Sequence, residues 1–409
     1  MDALIAAGLS DIFVFFDEVF PRAFDAAFEP PQNLVSYDSS AKGTVCEEET
    51  YEFENAFFDP ECDAIAWDRG VLLPQMAEDV GPLAPVVIIA HEVGHDVQYL
   101  LDLPEDADVL VSEQQADCYA GAYWRWVTDG NSSYFAFDQA DAMRQLMLGL
   151  LSVKDPQLTA DELAEESEED AADVHGSGFD RAFAGALGYT AGAARCDQID
   201  EKEMAARGQI QDALFHASSY REGDMPITDA TVTGIAATLD QFFRGTRPGY
   251  RKPALEKAAS QQTPCGTSTL TGPVVYCADT HTVSYHLPSL AAIGTPASDA
   301  ALGGDFSAFT LLASRYALAA AASAGEAVTG APAGLAALCS TGTWARWMRT
   351  PRGEYQLSPW DVDKAIYHII DSPLAGSDAS GTAAAPIITR VASFGYGITH
   401  TVSQCTAKY

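Results

Sequence analysis

A chain of 409 residues with 47% hydrophobic and 10% aromatic content is long enough for two self-sufficient cores and too apolar for wholesale disorder. Its 23 Lys and Arg face 58 Asp and Glu, a formal net charge of −35. Such a surface repels phosphates and anionic headgroups, which excludes binding to nucleic acid or to a membrane surface through general electrostatics. No apolar run reaches the roughly 20 residues that span a bilayer.

Residues 1–24 read as an amphipathic helix of the fold. Their apolar stretch, 12–16, is interrupted by Asp11, Asp17 and Glu18, and no basic segment precedes it as a secretion signal requires. An exported form would therefore need a targeting segment outside this sequence. The alternating run Ala64–Asp68 is strand-like. The apolar run 86–90, behind Pro82 and Pro85, then leads into His91-Glu92-Val93-Gly94-His95, an HExxH pattern. On a helix, positions i and i+4 share a face, so both imidazoles can reach one ion, while Glu92 is offset and can hold a water without ligating. Ser112-Glu113-Gln114-Gln115-Ala116-Asp117 predicts a second helix start, with Ser112 as its cap and Gln115 three residues on. Glu113 and Asp117 then share a face: one carboxylate would be the third ligand and the other would accept a ring N–H of a ligand histidine. Spacing leaves open which does which.

Further along, residues 161–173 are densely acidic without an apolar stripe, which predicts a solvated helix or loop; a calcium loop would need a regular ligand spacing that is missing. His175-Gly176-Ser177 and Arg181 follow, and a boundary near 208–226 predicts two domains, 1–209 and 210–409.

The second half reads as the first repeated. Residues 16–20 match 239–243, and His91 falls opposite Ser314, both at a separation of 223 positions. Ala64–Asp68 matches 282–286, and 117–126 matches 338–347. Arg181 precedes Cys196 by 15 residues, as Arg390 precedes Cys405. In the second copy His91, Glu92 and His95 become Ser314, Arg315 and Leu318, Glu113 and Asp117 become Gly334 and Leu338, and His175 becomes Ala384. The polar set disappears together, as one functional unit would, whereas Arg181 persists as Arg390 and so has a structural claim.

Cys46, Cys62, Cys118 and Cys196 share a short-long-long rhythm with Cys265, Cys277, Cys339 and Cys405. Pairing neighbours within each half predicts Cys46–Cys62, Cys118–Cys196, Cys265–Cys277 and Cys339–Cys405, hence an oxidising, extracytoplasmic or secreted setting; buried free thiols in a cytosolic protein are the alternative.

The segments 90–98 (AHEVGHDVQ), 113–121 (EQQADCYAG), the Ala56-Phe57-Phe58 and Ala66-Trp67-Asp68 strands and His175 to Arg181 resemble a family of bacterial neutral zinc metallopeptidases over most of residues 50–200. More distantly, HExxH with an ExxxD helix and a later His and Arg is similar to the prenyl-protein and heat-shock membrane endopeptidases. The resemblance implies a helix-dominated, zincin-like α+β fold, duplicated in tandem with the second copy lacking the metal site. It also implies Glu113 as third ligand, Asp117 as its hydrogen-bonding neighbour, and His175 and Arg181 near the developing oxyanion. Asp96, where relatives often carry another histidine, departs from the pattern, as does the degenerate copy.

The expected function is zinc-dependent hydrolysis of peptide bonds, by an endopeptidase, with one Zn2+ held by His91, His95 and Glu113, Glu92 as general base, and a peptide or protein as substrate. The rival expectation is a binding or scaffold protein on the same fold, whose second half, with Trp344 and Trp347, offers the surface for a protein partner.

Overall fold

Helices dominate the computed structural model, an α+β arrangement with small sheets, which describes residues 1–103, 107–156, 174–207, 224–295, 303–353, 355–358 and 360–409. The chain divides into two units, the first running from Met1 to Met204 and the second from Ala205 to Tyr409 among the described residues. The acidic run 161–173 lies outside those residues, as does 208–223 of the expected boundary.

In the first unit, α1 (Asp2–Phe24) buries Ile5, Leu9, Ile12, Phe16 and Phe20, whose three- and four-residue steps form one face. Strands β1 (Asn33–Tyr37), β2 (Thr44–Val45), β3 (Glu48–Glu49), β4 (Ala56–Asp59) and β5 (Ala64–Asp68) follow. The main sheet has the order β1-β5-β4, with β5 parallel to β1 and antiparallel to β4; β2 and β3 form a separate ribbon. Central β5 is buried at all five positions, and β4 is left as an edge. Asp68 ends β5 by accepting hydrogen bonds from Ser39, Gly70, Val71 and Leu72. Burial alone would raise its pKa, yet these donors hold it below the ordinary value.

Helices α2 (Leu72–Asp79), α3 (Ala84–Leu100), α4 (Val109–Thr128), α5 (Gln139–Ser152) and α6 (Gly178–Ala191) follow. Helix α3 begins with Pro85 in its first turn, where a missing N–H costs nothing. Packed by α1, α4, α5 and the sheet, it is buried nearly all round, with Val86, Val87, Ile89, Val93 and Val97 fully buried. Helix α4 starts three residues before the expected Ser112, because Asp108 caps it by accepting from the Leu110 N–H. Ser112 is thereby carried into the helix interior, free to act as a side chain rather than as a cap. Against α4 lies α6, where any Cβ on Gly188 would collide with the Cys118 carbonyl.

Among the described residues, the second unit also runs from a long helix through five strands to further helices. Helix α7 (Asp229–Thr246) precedes β6 (Ala254–Lys257), β7 (Gln262–Cys265), β8 (Ser268–Thr271), β9 (Val274–Cys277) and β10 (Thr282–Tyr285). Its sheet order is β6-β10-β9, with β10 parallel to β6 and antiparallel to β9, beside a β7-β8 ribbon. Helices α8 (Leu287–Ile293), α9 (Asp305–Ser323), α10 (Ala331–Trp347), α11 (Asp361–Asp371), α12 (Ile387–Thr399) and α13 (Val402–Lys408) follow. Gly397 meets the Cys339 carbonyl of α10 as Gly188 meets that of Cys118.

All eight cysteines are paired: Cys46–Cys62, Cys118–Cys196, Cys265–Cys277 and Cys339–Cys405. Four disulfides fit an oxidising, extracytoplasmic compartment. Among the described residues no helix is long and apolar enough to cross a membrane.

Candidate metal centre

Helices α3 and α4 approach closely because Gly94 faces the backbone of Ala116, where an added Cβ would sit 2.8 Å from the Cα. That contact sets Glu113, one turn before Ala116, across from the histidines of α3. His91 Nε2 and His95 Nε2 lie 3.1 Å apart. Glu113 places one carboxylate oxygen 3.3 Å from each of them, so the three residues could together hold a metal ion.

What lies behind the imidazoles fixes their protonation. His91 Nδ1 is 2.8 Å from Asp117 Oδ1, which also accepts from Arg181 Nη2 at 2.7 Å. A carboxylate only accepts here, so Nδ1 of His91 carries the hydrogen. His95 Nδ1 is 2.9 Å from Gln98 Oε1. The Gln98 nitrogen donates to the Ser112 carbonyl at 2.7 Å and to Gln115 Oε1 at 3.1 Å, which turns its oxygen toward His95. Nδ1 of His95 therefore carries the hydrogen too. Each ring is thereby turned so that its Nε2 faces the other ring and the Glu113 carboxylate. Glu113 Oε2 is buried without any hydrogen-bond donor.

Three converging acceptors require a cation. With only protons available, His91 takes the role: burial would lower its pKa, but the Glu113 and Asp117 carboxylates raise it to about 10. Burial works to raise the Glu113 pKa, and the two histidines overcome it and hold that carboxyl below its ordinary value.

Glu92 is 6% exposed, and its Oε2 accepts the Phe58 N–H of edge strand β4 at 3.2 Å. Its pKa is raised, chiefly by burial and against the pull of His91 and His95. These groups line a cleft of about 640 Å³ together with Phe58, Tyr99 and His175. The turn bearing His175 is clamped by Asp155, whose carboxylate accepts the His175 and Gly176 N–H groups at 2.7 and 2.9 Å, and the imidazole is 38% exposed. Arg181 also borders the cleft, but only 1% of it is exposed; its Nη1 donates to the Val153 carbonyl at 2.7 Å and its Nη2 to Asp117. The guanidinium expected beside an oxyanion thus has both terminal nitrogens engaged behind His91.

Sequence reasoning gave Ser112 and Gln115 only a capping role, and it missed Gln98 and the Phe58 N–H. Gln98 left a signal, being a polar side chain one turn beyond His95. The Phe58 contact left none, since its donor is backbone.

The corresponding place in the second unit has other contents. Ser314 donates to its own helix, at the Leu311 carbonyl, and Leu318 is fully buried. Arg315, at the Glu92 position, donates to the carbonyls of Asp378, Leu374 and Ser377 at 2.7–2.9 Å. Its pKa is lowered to about 10 by burial. Among the described residues of that unit, Asp224, Asp305 and Asp361 also cluster, and Lys364 Nζ occupies their midst at 2.7, 3.5 and 2.8 Å. Comparison with protein-family models, curated proteins and solved structures finds no match for the chain.

Proposed function

We propose that the first unit is a zinc-dependent peptidase, with His91, His95 and Glu113 as ligands. The observation that carries this reading is the convergence of the two Nε2 atoms on the Glu113 carboxylate, whose Oε2 is buried without a hydrogen-bond partner. The two Nε2 atoms lie 3.1 Å apart, and Glu113 sets Oε2 3.3 Å from His91 and Oε1 3.3 Å from His95, spacings near the edge of about 3.3 Å that ligand distances of about 2.0–2.1 Å give in a tetrahedral site. Two imidazoles and one carboxylate also form a donor set favoured by catalytic zinc, with a position left open.

Bound there, zinc would act as a Lewis acid, acidifying water and polarising the scissile carbonyl. Glu92, inside the cleft and steadied by the Phe58 N–H, takes a proton from the attacking water and returns it to the leaving amine. His175 is the donor available to the tetrahedral oxyanion. Arg181 acts at one remove, holding Asp117, which in turn holds the His91 ring.

We read the second unit as a degenerate copy of the first. The matching sheet orders, the glycine over a cysteine carbonyl in each unit and the parallel disulfides support this. Its intact core without ligands favours, as a second reading of that half alone, a surface for a protein partner.

Replacing Glu92 with Gln tests the main reading. Zinc content should stay at one per chain while peptide cleavage falls by about 10²–10⁴-fold. Undiminished cleavage by this variant would sink the assignment.

A further inference from the structure

We propose that Gln98 is the positioning residue for His95, fixing the tautomer and angle of one zinc ligand through a neutral amide; this rests on the zinc reading above. Gln98 is 4% exposed and follows His95 by three residues on α3. Every polar atom of its amide is used. The oxygen accepts from His95 Nδ1 at 2.9 Å and from Ser112 Oγ at 2.9 Å, and the nitrogen donates to the Ser112 carbonyl and to Gln115. Gln115 continues the chain by donating to the Ile199 carbonyl at 2.9 Å. The amide therefore cannot flip: turned over, it would point its oxygen at a carbonyl and its N–H at the N–H of His95.

The two ligand histidines are accordingly held by different chemistry. His91 donates to a carboxylate that is itself paired with Arg181, whereas His95 donates to an uncharged oxygen. A carboxylate partner makes an imidazole a stronger base toward metal, and an amide does so less. The neutral choice suits the charge of the loaded centre. A dication with Arg181 balances Glu92, Glu113 and Asp117, and a carboxylate at position 98 would leave one buried negative charge uncompensated. It would also press an oxygen against the Ser112 carbonyl. A glutamine supplies the acceptor without the charge.

The test uses the full chain with Gln98→Met, which keeps the unbranched shape and removes the acceptor. Zn2+ affinity is read by competition with a chromogenic chelator, and ligand geometry by the visible absorption of the Co2+-substituted protein. We expect Zn2+ to bind about 10–100-fold more weakly, with an altered Co2+ spectrum at saturation. Ser112→Ala, which removes a hydrogen bond to Gln98 without touching the acceptor, should weaken binding in the same direction but by less, and it carries the test if Gln98→Met fails to fold. A wild-type protein that binds Zn2+, alongside variants that match its affinity within twofold and share its Co2+ spectrum, would overturn the role of Gln98 alone. A wild-type protein that binds no Zn2+ would overturn both readings. Were Gln98 merely structural, the metal-free variant would melt at lower temperature while the Co2+ spectrum stayed unchanged, which also refutes the proposal.

Discussion

Asp117 and Arg181 are 0% and 1% exposed and bonded at 2.7 Å, so each is the other's reason for tolerating burial. In the second unit the sequence alignment sets Leu338 opposite Asp117 and Arg390 opposite Arg181, and Arg390 turns to the carbonyls of Ile369 and Ala385 at 2.8 and 3.3 Å. Burial lowers that arginine to about 10. Removing the first unit's carboxylate should therefore be costly in two ways. For Asp117→Asn we expect metal affinity to fall about 10–100-fold, as the His91 N–H loses its charged acceptor. The same variant should lose on the order of 3 kcal/mol of stability in denaturant titrations, because Arg181 then faces an amide. Metal affinity equal to that of wild type would show that Asp117 does not orient His91.

At the level of elements, the sequence made β5 and β10, the HExxH helix and the cysteine pairs legible, since each depends on local periodicity or spacing. The start of α4 was misread because both Asp108 and Ser112 are good caps, and only the folded backbone decides which one accepts an N–H. Glu92 meets Phe58 across 34 positions through a backbone N–H, a contact that no residue type announces. The carboxylate cluster at the start of α9 was equally hidden, as it joins Asp224, Asp305 and Asp361 around Lys364 from distant segments. Burial, aided by the Asp361 charge, raises Asp305 from 3.8 to about 8. A carboxyl with a raised folded pKa binds its proton more tightly in the native state, so its contribution to stability is complete below about pH 4 and is lost as pH rises toward 8. We expect the stability difference between wild type and Asp305→Asn to shift against the wild type across that window, by at most about 1.4 kcal/mol per pH unit. Urea titrations at pH 5 and 8 measure it, and a pH-independent difference would refute it.

Across the whole molecule, the two units share their disulfide plan and differ in what stands on α3 and α9, so structural and chemical roles are separable by comparing them. The Cys118–Cys196 bond lies where the two roles touch. Cys118 directly follows Asp117, which steadies His91. The Cys196 carbonyl accepts the N–H of Ile199 at 3.0 Å, and the Ile199 carbonyl anchors Gln115 and thus the Gln98 network behind His95. One covalent bond clamps the supports of both histidines. Replacing Cys118 and Cys196 with Ser should weaken Zn2+ binding at least about tenfold in chelator competition, whereas replacing Cys265 and Cys277 should leave it unchanged; equal effects would refute the link. It follows, on the proposed function, that maturation has an order. Oxidation comes first and metal competence second, so a chain still reduced at Cys118 and Cys196 holds its histidines loosely and gains a competent metal centre only once that bond has closed.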